Sequence, residues 1–280
     1  MQVSLACAQS SGTAHEETPA VGVLSEAAAR VPGELGRIFR YPLDQTDEFK
    51  KYALGIGLLI LLDKPLTTLY QKHVEAPLVG FRLPEAPKIF PQVISSGSDG
   101  WLLLGIGGTY LGGLATDDVR SQKAGIAATK AVAYSYVVSQ LLLKSMSGRN
   151  RPNPSLGNGP ATSPYTDNPY EFGRSQGIKP DSSPVATAFP SFHFTAYFAV
   201  ARVYQQAYGN SWVPYSLLAL GLVSDIRSHH HWVSDMAAGA LVGTLIGSSV
   251  SSDYFGENSK LKLAPLLSPL GAGLLLTYTY

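Results

Sequence analysis

Three short stretches of the chain hold side chains able to handle a phosphate group. In Lys144-Ser-Met-Ser-Gly-Arg149-Asn-Arg151-Pro152, Lys144 and Arg151 stand seven residues apart. Two helical turns put both on one face if a helix continues through them. Together they suit a phosphate dianion, arginine giving planar bidentate donors and lysine a compact charge. The plainer alternative is that cations at a helix C-terminus complement its dipole. In Phe189-Pro190-Ser191-Phe192-His193, Ser191 reads as an ordinary helix N-cap. Free amides and a hydroxyl at a helix start also form an anion site, where His193 can protonate a leaving oxygen. In Ser224-Asp225-Ile226-Arg227-Ser228-His229-His230-His231-Trp232-Val233-Ser234-Asp235, His231 and Asp235 are four apart. That spacing lets the carboxylate hold one ring nitrogen and leaves the other as nucleophile; surface ion pairing is the alternative.

Four of the six histidines lie at His193 and His229–His231, and three in a row invite a metal ion. Consecutive helical residues point in different directions, however, and cannot all ligate one ion. The chain also has no His-Glu-x-x-His pattern, so neither a metal nor another cofactor is expected.

The order Lys-x6-Arg-Pro, Pro-Ser-Gly-His and Ser-Arg-x5-His-x3-Asp is the signature of the type 2 phosphatidic acid phosphatase superfamily, whose relatives include the vanadium haloperoxidases. The chain resembles it at Lys144, Arg151 and Pro152, at Pro190, Ser191 and His193, and at Ser224, His231 and Asp235. Trp232-Val-Ser-Asp235-Met-Ala-Ala-Gly239 also looks like the family's His-Trp-x-Ser-Asp-x-x-Ala-Gly helix. Two positions depart from the pattern. Phe192 replaces a glycine where bulk is normally excluded, and Asp225 replaces the second phosphate-binding arginine. Arg227, two residues on, points about 200° away from residue 225 along a helix, yet reaches the site if the segment is a loop.

The resemblance implies a metal-independent phosphatase acting on a lipid-linked phosphate monoester or diphosphate, as the family's substrates are. His231 would attack phosphorus to form a phosphohistidine, Asp235 would orient it, and His193 would protonate the leaving alcohol. Lys144, Arg151, Ser191 and Arg227 would bind the phosphoryl oxygens. The two departures carry an alternative, a phosphate- or lipid-phosphate-binding protein that has lost turnover. A third reading is a vanadium-dependent haloperoxidase, because the same residues would hold vanadate.

The elements around these stretches read as helices. Residues 1–35 are polar and alanine-rich, a loose arm with at most a short helix. The helical domain is expected over 36–260, with 261–280 as a tail whose alternating Thr277-Tyr278-Thr279-Tyr280 could form a short strand. Helices are expected at Thr46–Val74, ending before Pro77, from Trp101, at Lys123–Gly148, Ser191–Tyr208, Trp212–Ser224 and Val233–Val250. Residues 152–187 are rich in Pro, Gly, Ser, Thr and Asn, a long loop of the kind that carries function. The fold class is therefore all-α, a helical bundle with a long loop between the first two motifs.

Composition narrows the partners. Basic and acidic residues, 21 and 20, nearly cancel, so no nucleic acid is expected, and the substrate is a phosphorylated small molecule or lipid. Charged residues make up only 15%, against roughly a quarter in soluble proteins, which favours a buried-helix protein or one touching a membrane. The apolar windows Ala53–Leu62, Trp101–Thr116, Ala124–Leu143 and Met236–Val250 are each cut by a charge or by small residues before about 20 residues. They read at least as well as helices buried in a bundle, so the balance leans to a soluble or peripheral protein. Ala6-Cys7-Ala8 has the small-x-small pattern of a signal-peptidase site, either the tail of a signal peptide or a chance match. The expected location is the cell envelope, periplasmic or membrane-associated.

Overall fold

Val23, Ala27, Val31, Leu35 and Ile38 recur every three or four residues, and this stripe faces the core from helix α1 (Pro19–Asp44). Part of the stretch expected as a loose arm is thus a long helix. The stripe is hard to see in sequence because alanines and two prolines, Pro32 and Pro42, interrupt it. The computed structural model describes residues 19–86, 97–175, 177, 178, 180, 185–224, 226, 230–256, 260–268 and 271–279.

Helix α2 (Thr46–Leu78) runs on through Pro65 and past the expected stop at Pro77, with a wider π turn at Gln71–Glu75. Helices α3 (Gly97–Ala115) and α4 (Val119–Ser147) follow, the second started by the Asp118 side chain accepting from the amide of Arg120 at 3.0 Å. Gly148 ends α4 in the left-handed conformation, φ 51°, with the backbone of Arg174 pressed against the place a side chain would occupy. After the long loop come α5 (Phe192–Tyr208), α6 (Trp212–Ser224) and α7 (Val233–Phe255). The fold class is all-α, as the sequence indicates. Beyond the bundle, the tail forms an antiparallel hairpin, β1 (Lys260–Ser268) with β2 (Gly271–Thr279), longer than the short strand expected there.

The centre of the bundle is the contact of α4, α5 and α7. Ala127, Ala128 and Ala131 of α4 meet Ala199, Val200 and Val203 of α5 and Ile246 and Val250 of α7. Helices α5 and α7 approach closely because Gly239, Gly243 and Gly247 repeat every turn along α7. A Cβ at Gly239 would lie 2.6 Å from the Ser191 carbonyl oxygen, and those at Gly243 and Gly247 would collide with the carbonyl oxygens of Thr195 and Ala199. The stripe begins one turn after Asp235, so it presses the start of α5 onto the start of α7.

Among the described residues three helices, α2, α4 and α7, are long and apolar enough to cross a membrane. The charges that cut their sequence windows short are folded into the helices: Asp63 of α2 is fully buried, and Lys130 of α4 hydrogen-bonds Glu34 of α1. Only 11% of the most apolar window of α2 is buried, and Leu54, Leu61, Leu62 and Leu69 face outward. These lengths and this outward apolar surface support membrane association.

If the glycine stripe sets the α5–α7 distance, Gly243→Ala should destabilise the protein by about 1–3 kcal/mol, the usual cost of overpacking. Gly105→Ala on the open face of α3, where no atom lies within 4 Å of the added carbon, should be neutral or slightly stabilising. Thermal unfolding of the two variants in the same detergent tests the contrast; equal melting points would remove the stripe from this role.

Candidate active site

Arginine 149 sits three residues beyond the last residue but one of α4 and is fully buried. A guanidinium has five N–H donors, and all five are used. Nε and Nη2 donate to the Pro169 carbonyl at 3.1 and 2.6 Å, and Nη2 also donates to Asp63 Oδ2 at 2.7 Å. Nη1 donates to Ser234 Oγ at 2.7 Å and Asp235 Oδ1 at 2.6 Å. The Phe172 and Trp232 rings lie 4.6 and 5.3 Å from its central carbon. Asp63 in turn accepts from the Ser234 amide at 2.9 Å and from the Ser234 hydroxyl. One side chain thereby joins α2, the long loop and the first turn of α7.

That junction fixes Asp235. With Oδ1 on Arg149, Oδ2 accepts from the Trp232 amide at 2.9 Å and lies 3.5 Å from His231 Nδ1. The sequence spacing suggests a helical His231–Asp235 pair, but Trp232 caps α7 and His231 stands just outside it. The carboxylate still faces Nδ1, which directs Nε2 away from it. The main chain completes the joint: the Asp235 carbonyl accepts from the Ser191 amide at 3.0 Å.

Ser191 holds the N-cap position that the sequence indicates, but not through its side chain. Its hydroxyl makes no capping bond to α5, is buried, and has no hydrogen-bond partner among the described residues. Instead Ser191 lines a cavity of about 260 Å³ together with His193 and His231. The other walls are mostly apolar, including Phe194, Phe198, Leu218, Leu222, Ile226 and Met236. Phe192 is not part of that wall. Its ring packs edge-on against Tyr136 of α4 at 6.0 Å and against His193 at 5.5 Å.

The cations gather next to this group, though not on one helical face. Gly148 ends the helix before Arg151, and the loop brings Arg151 back: its carbonyl accepts from the Thr166 amide at 3.0 Å. Lys144 is buried, donates to Gln140 Oε1 at 2.6 Å, and lies within electrostatic reach of Arg151 and Asp235. Burial pushes the Arg151 guanidinium below its usual pKa. Burial, and next the Arg151 charge, likewise lower the pKa of His230, whose ring stands edge-on to Tyr165 at 5.8 Å. Arg151 Nε and His230 Nδ1 have no hydrogen-bond partner among the described residues. A buried donor without an acceptor, such as Arg151 Nε, is what an oxyanion would satisfy.

The structure thus brings together Lys144, Arg151, Ser191, His193, His231 and Asp235. Asp225, Arg227 and His229 lie outside the described residues. Among the described residues no three His, Cys, Asp or Glu side chains converge as metal ligands. Arg149, Asp63 and Asp99 are not among the residues singled out from sequence. Asp99 Oδ2 lies 3.1 Å from His193 Nε2. Asp63 leaves a trace in the sequence, a carboxylate set into an apolar run; Asp99 sits in a turn-like stretch and leaves none.

Removing Arg149 would strand two buried carboxylates. Arg149→Ala should therefore cost about 3–5 kcal/mol of stability. Arg149→Lys, which keeps the charge but cannot span five acceptors, should lower the melting point and the activity together. A lysine variant with wild-type melting and turnover would show that the network needs only a charge.

Residues 125–258, just under half of the chain, match the PAP2 superfamily. Over 83 residues the chain is 35% identical to the lipid A 1-phosphatase of Porphyromonas gingivalis, an alignment covering 28% of this chain and 18% of that protein. The chain thus spans less than a fifth of that relative's length in the match. No solved structure matches the chain. Lys144, Arg151, Ser191, His193, His231 and Asp235 all fall inside 125–258, the stretch that matches the PAP2 superfamily.

Proposed function

We propose that the protein is a metal-independent phosphatase that releases phosphate from a lipid-linked monoester or diphosphate through a phosphohistidine. The observation that carries this reading is the buried His231–Asp235 pair, opening with Ser191 and His193 into one apolar cavity beside Lys144 and Arg151. Asp235 holds Nδ1, and His231 Nε2 attacks phosphorus. His193 gives a proton to the leaving alcohol. Lys144, Arg151 and the Ser191 hydroxyl take the phosphoryl oxygens, supplying fixed positive charge and donors where negative charge develops. The sequence resemblance adds Arg227 to that set.

The apolar walls support the substrate class. Phe194, Phe198, Leu218 and Leu222 gain nothing from a hydrophilic sugar phosphate, whereas they lower the free energy of a hydrocarbon chain by roughly 25 cal/mol per Å² covered. The similarity to a lipid A 1-phosphatase and the membrane-length helices point the same way. That the ring of Phe192 stays out of the cavity wall supports retained turnover.

Phosphate release from dodecyl phosphate by the detergent-purified protein tests the reading. His231→Ala should reduce turnover at least about a thousandfold with an unchanged melting curve, as loss of a covalent nucleophile does. EDTA should leave the wild-type rate intact, because cationic side chains stand where a metal enzyme would hold its ion. Full activity in the folded His231→Ala variant would overturn the nucleophile assignment. Loss in EDTA, restored by zinc or magnesium, would overturn the metal-independent mechanism.

A further inference from the structure

We propose that Asp99 is a positioning residue for His193, making the candidate site a two-pair device in which each histidine has its own carboxylate. The inference rests on the phosphatase reading above and deepens it. Asp99 lies in the first turn of α3, far from His193 in sequence, yet its Oδ2 meets His193 Nε2 at 3.1 Å with both side chains buried. A second tie fixes the same junction: Tyr197, one turn beyond His193, shares a 2.7 Å hydrogen bond with Ser98. His193, Tyr197 and Ser98 all line the cavity.

A buried carboxylate beside an anion site is costly in two ways. It loses hydration, and it repels the phosphate that the neighbouring cations attract. A protonated imidazole offsets both. The Asp99 charge favours the ring form that carries a proton on Nε2, so the proton exchanged with substrate is the one on Nδ1. The first pair has the opposite sense, with Asp235 on His231 Nδ1 and Nε2 toward phosphorus. Two histidines with opposite nitrogens engaged can thus take two different roles in one cavity.

The bonds balance as follows in the ester reaction. The Nε2 lone pair of His231 forms the N–P bond while the ester P–O bond breaks. The leaving oxygen keeps that electron pair and takes the proton from His193 Nδ1. His193 is then neutral, with Nε2–H still on Asp99. In the second half a water oxygen attacks phosphorus and its proton passes to Nδ1. The N–P bond breaks, its pair returns to His231, and inorganic phosphate leaves with His193 recharged.

The test compares two substrates that differ in how much they need an acid. Dodecyl phosphate has a poor alkoxide leaving group, whereas p-nitrophenyl phosphate releases a stable phenolate. Asp99→Asn keeps the size and an acceptor but removes the charge. Its kcat should fall about 10- to 100-fold on dodecyl phosphate, part of the usual worth of a general acid, and less than about threefold on p-nitrophenyl phosphate. His193→Ala should show the same selectivity, and the double variant should be no worse than His193→Ala alone. Tyr197→Phe, which loosens the same junction, should leave the ratio between the substrates unchanged. Equal loss on both substrates in Asp99→Asn, or a Tyr197→Phe variant with the same altered ratio, would overturn the role of Asp99. His193→Ala with no selectivity, while His231→Ala is dead, would instead overturn His193 as the acid and Asp99 with it. A wild-type protein inactive on both esters would overturn the phosphatase reading itself.

Discussion

A buried guanidinium can be kept in a protein only if every N–H finds an acceptor and the charge finds a counter-charge. Arg149 meets both demands, and the elements that supply its partners are the ones the site is built from. Asp63 comes from the middle of α2, Pro169 from the long loop, and Ser234 and Asp235 from the first turn of α7. None of these could move alone without stranding a charge. The loop between the first two motifs, which composition alone would leave unstructured, is therefore pinned at its centre. Asp235 is held by the same bonds before His231 makes any demand on it.

The electrostatic plan follows from that arrangement. Arg149 shares its charge between two carboxylates, whereas among the described residues Lys144 and Arg151 have no carboxylate at ion-pair distance. Those two side chains lie beside polar atoms of Arg151 and Ser191 that have no hydrogen-bond partner among the described residues. Arg149 stands five positions from Lys144 and two from Arg151 in sequence, and differs from both in its partners in space.

The helical class and the ends of α5, α6 and the start of α7 were legible in the sequence because apolar runs there are bounded by Gly, Pro or capping residues. The site segments were legible too, since their spacing is short-range within each stretch. Other features were not. The start of α1 hides in alanines, and the reach of α2 hides behind Asp63, a charge that looks like the end of an apolar run until its partner 86 positions away is known. Lys144 and Arg151 come within electrostatic reach through a chain reversal at Gly148, not along the single helix face that their spacing suggests. Asp99 could not be found at all, because its link to His193 exists only in three dimensions. The Ser191 hydroxyl lay between two readings, and the sequence does not show that its capping bond is missing.

The glycine stripe on α7 gives the site a mechanical property. Where Gly239, Gly243 and Gly247 meet the carbonyls of Ser191, Thr195 and Ala199, main chain bears on main chain, with no rotatable side chain to absorb an error. The two helices then behave as rods touching along a line, and the Ser191–Asp235 hydrogen bond closes one end of it. From Asp235 to Gly247 is about 18 Å at 1.5 Å per residue. A spacer inserted at the far end would act through that lever, prising the rods apart by tilt and opening the gap beside the histidines without touching a residue that faces it. Tolerance at the site is thus set deep inside the bundle.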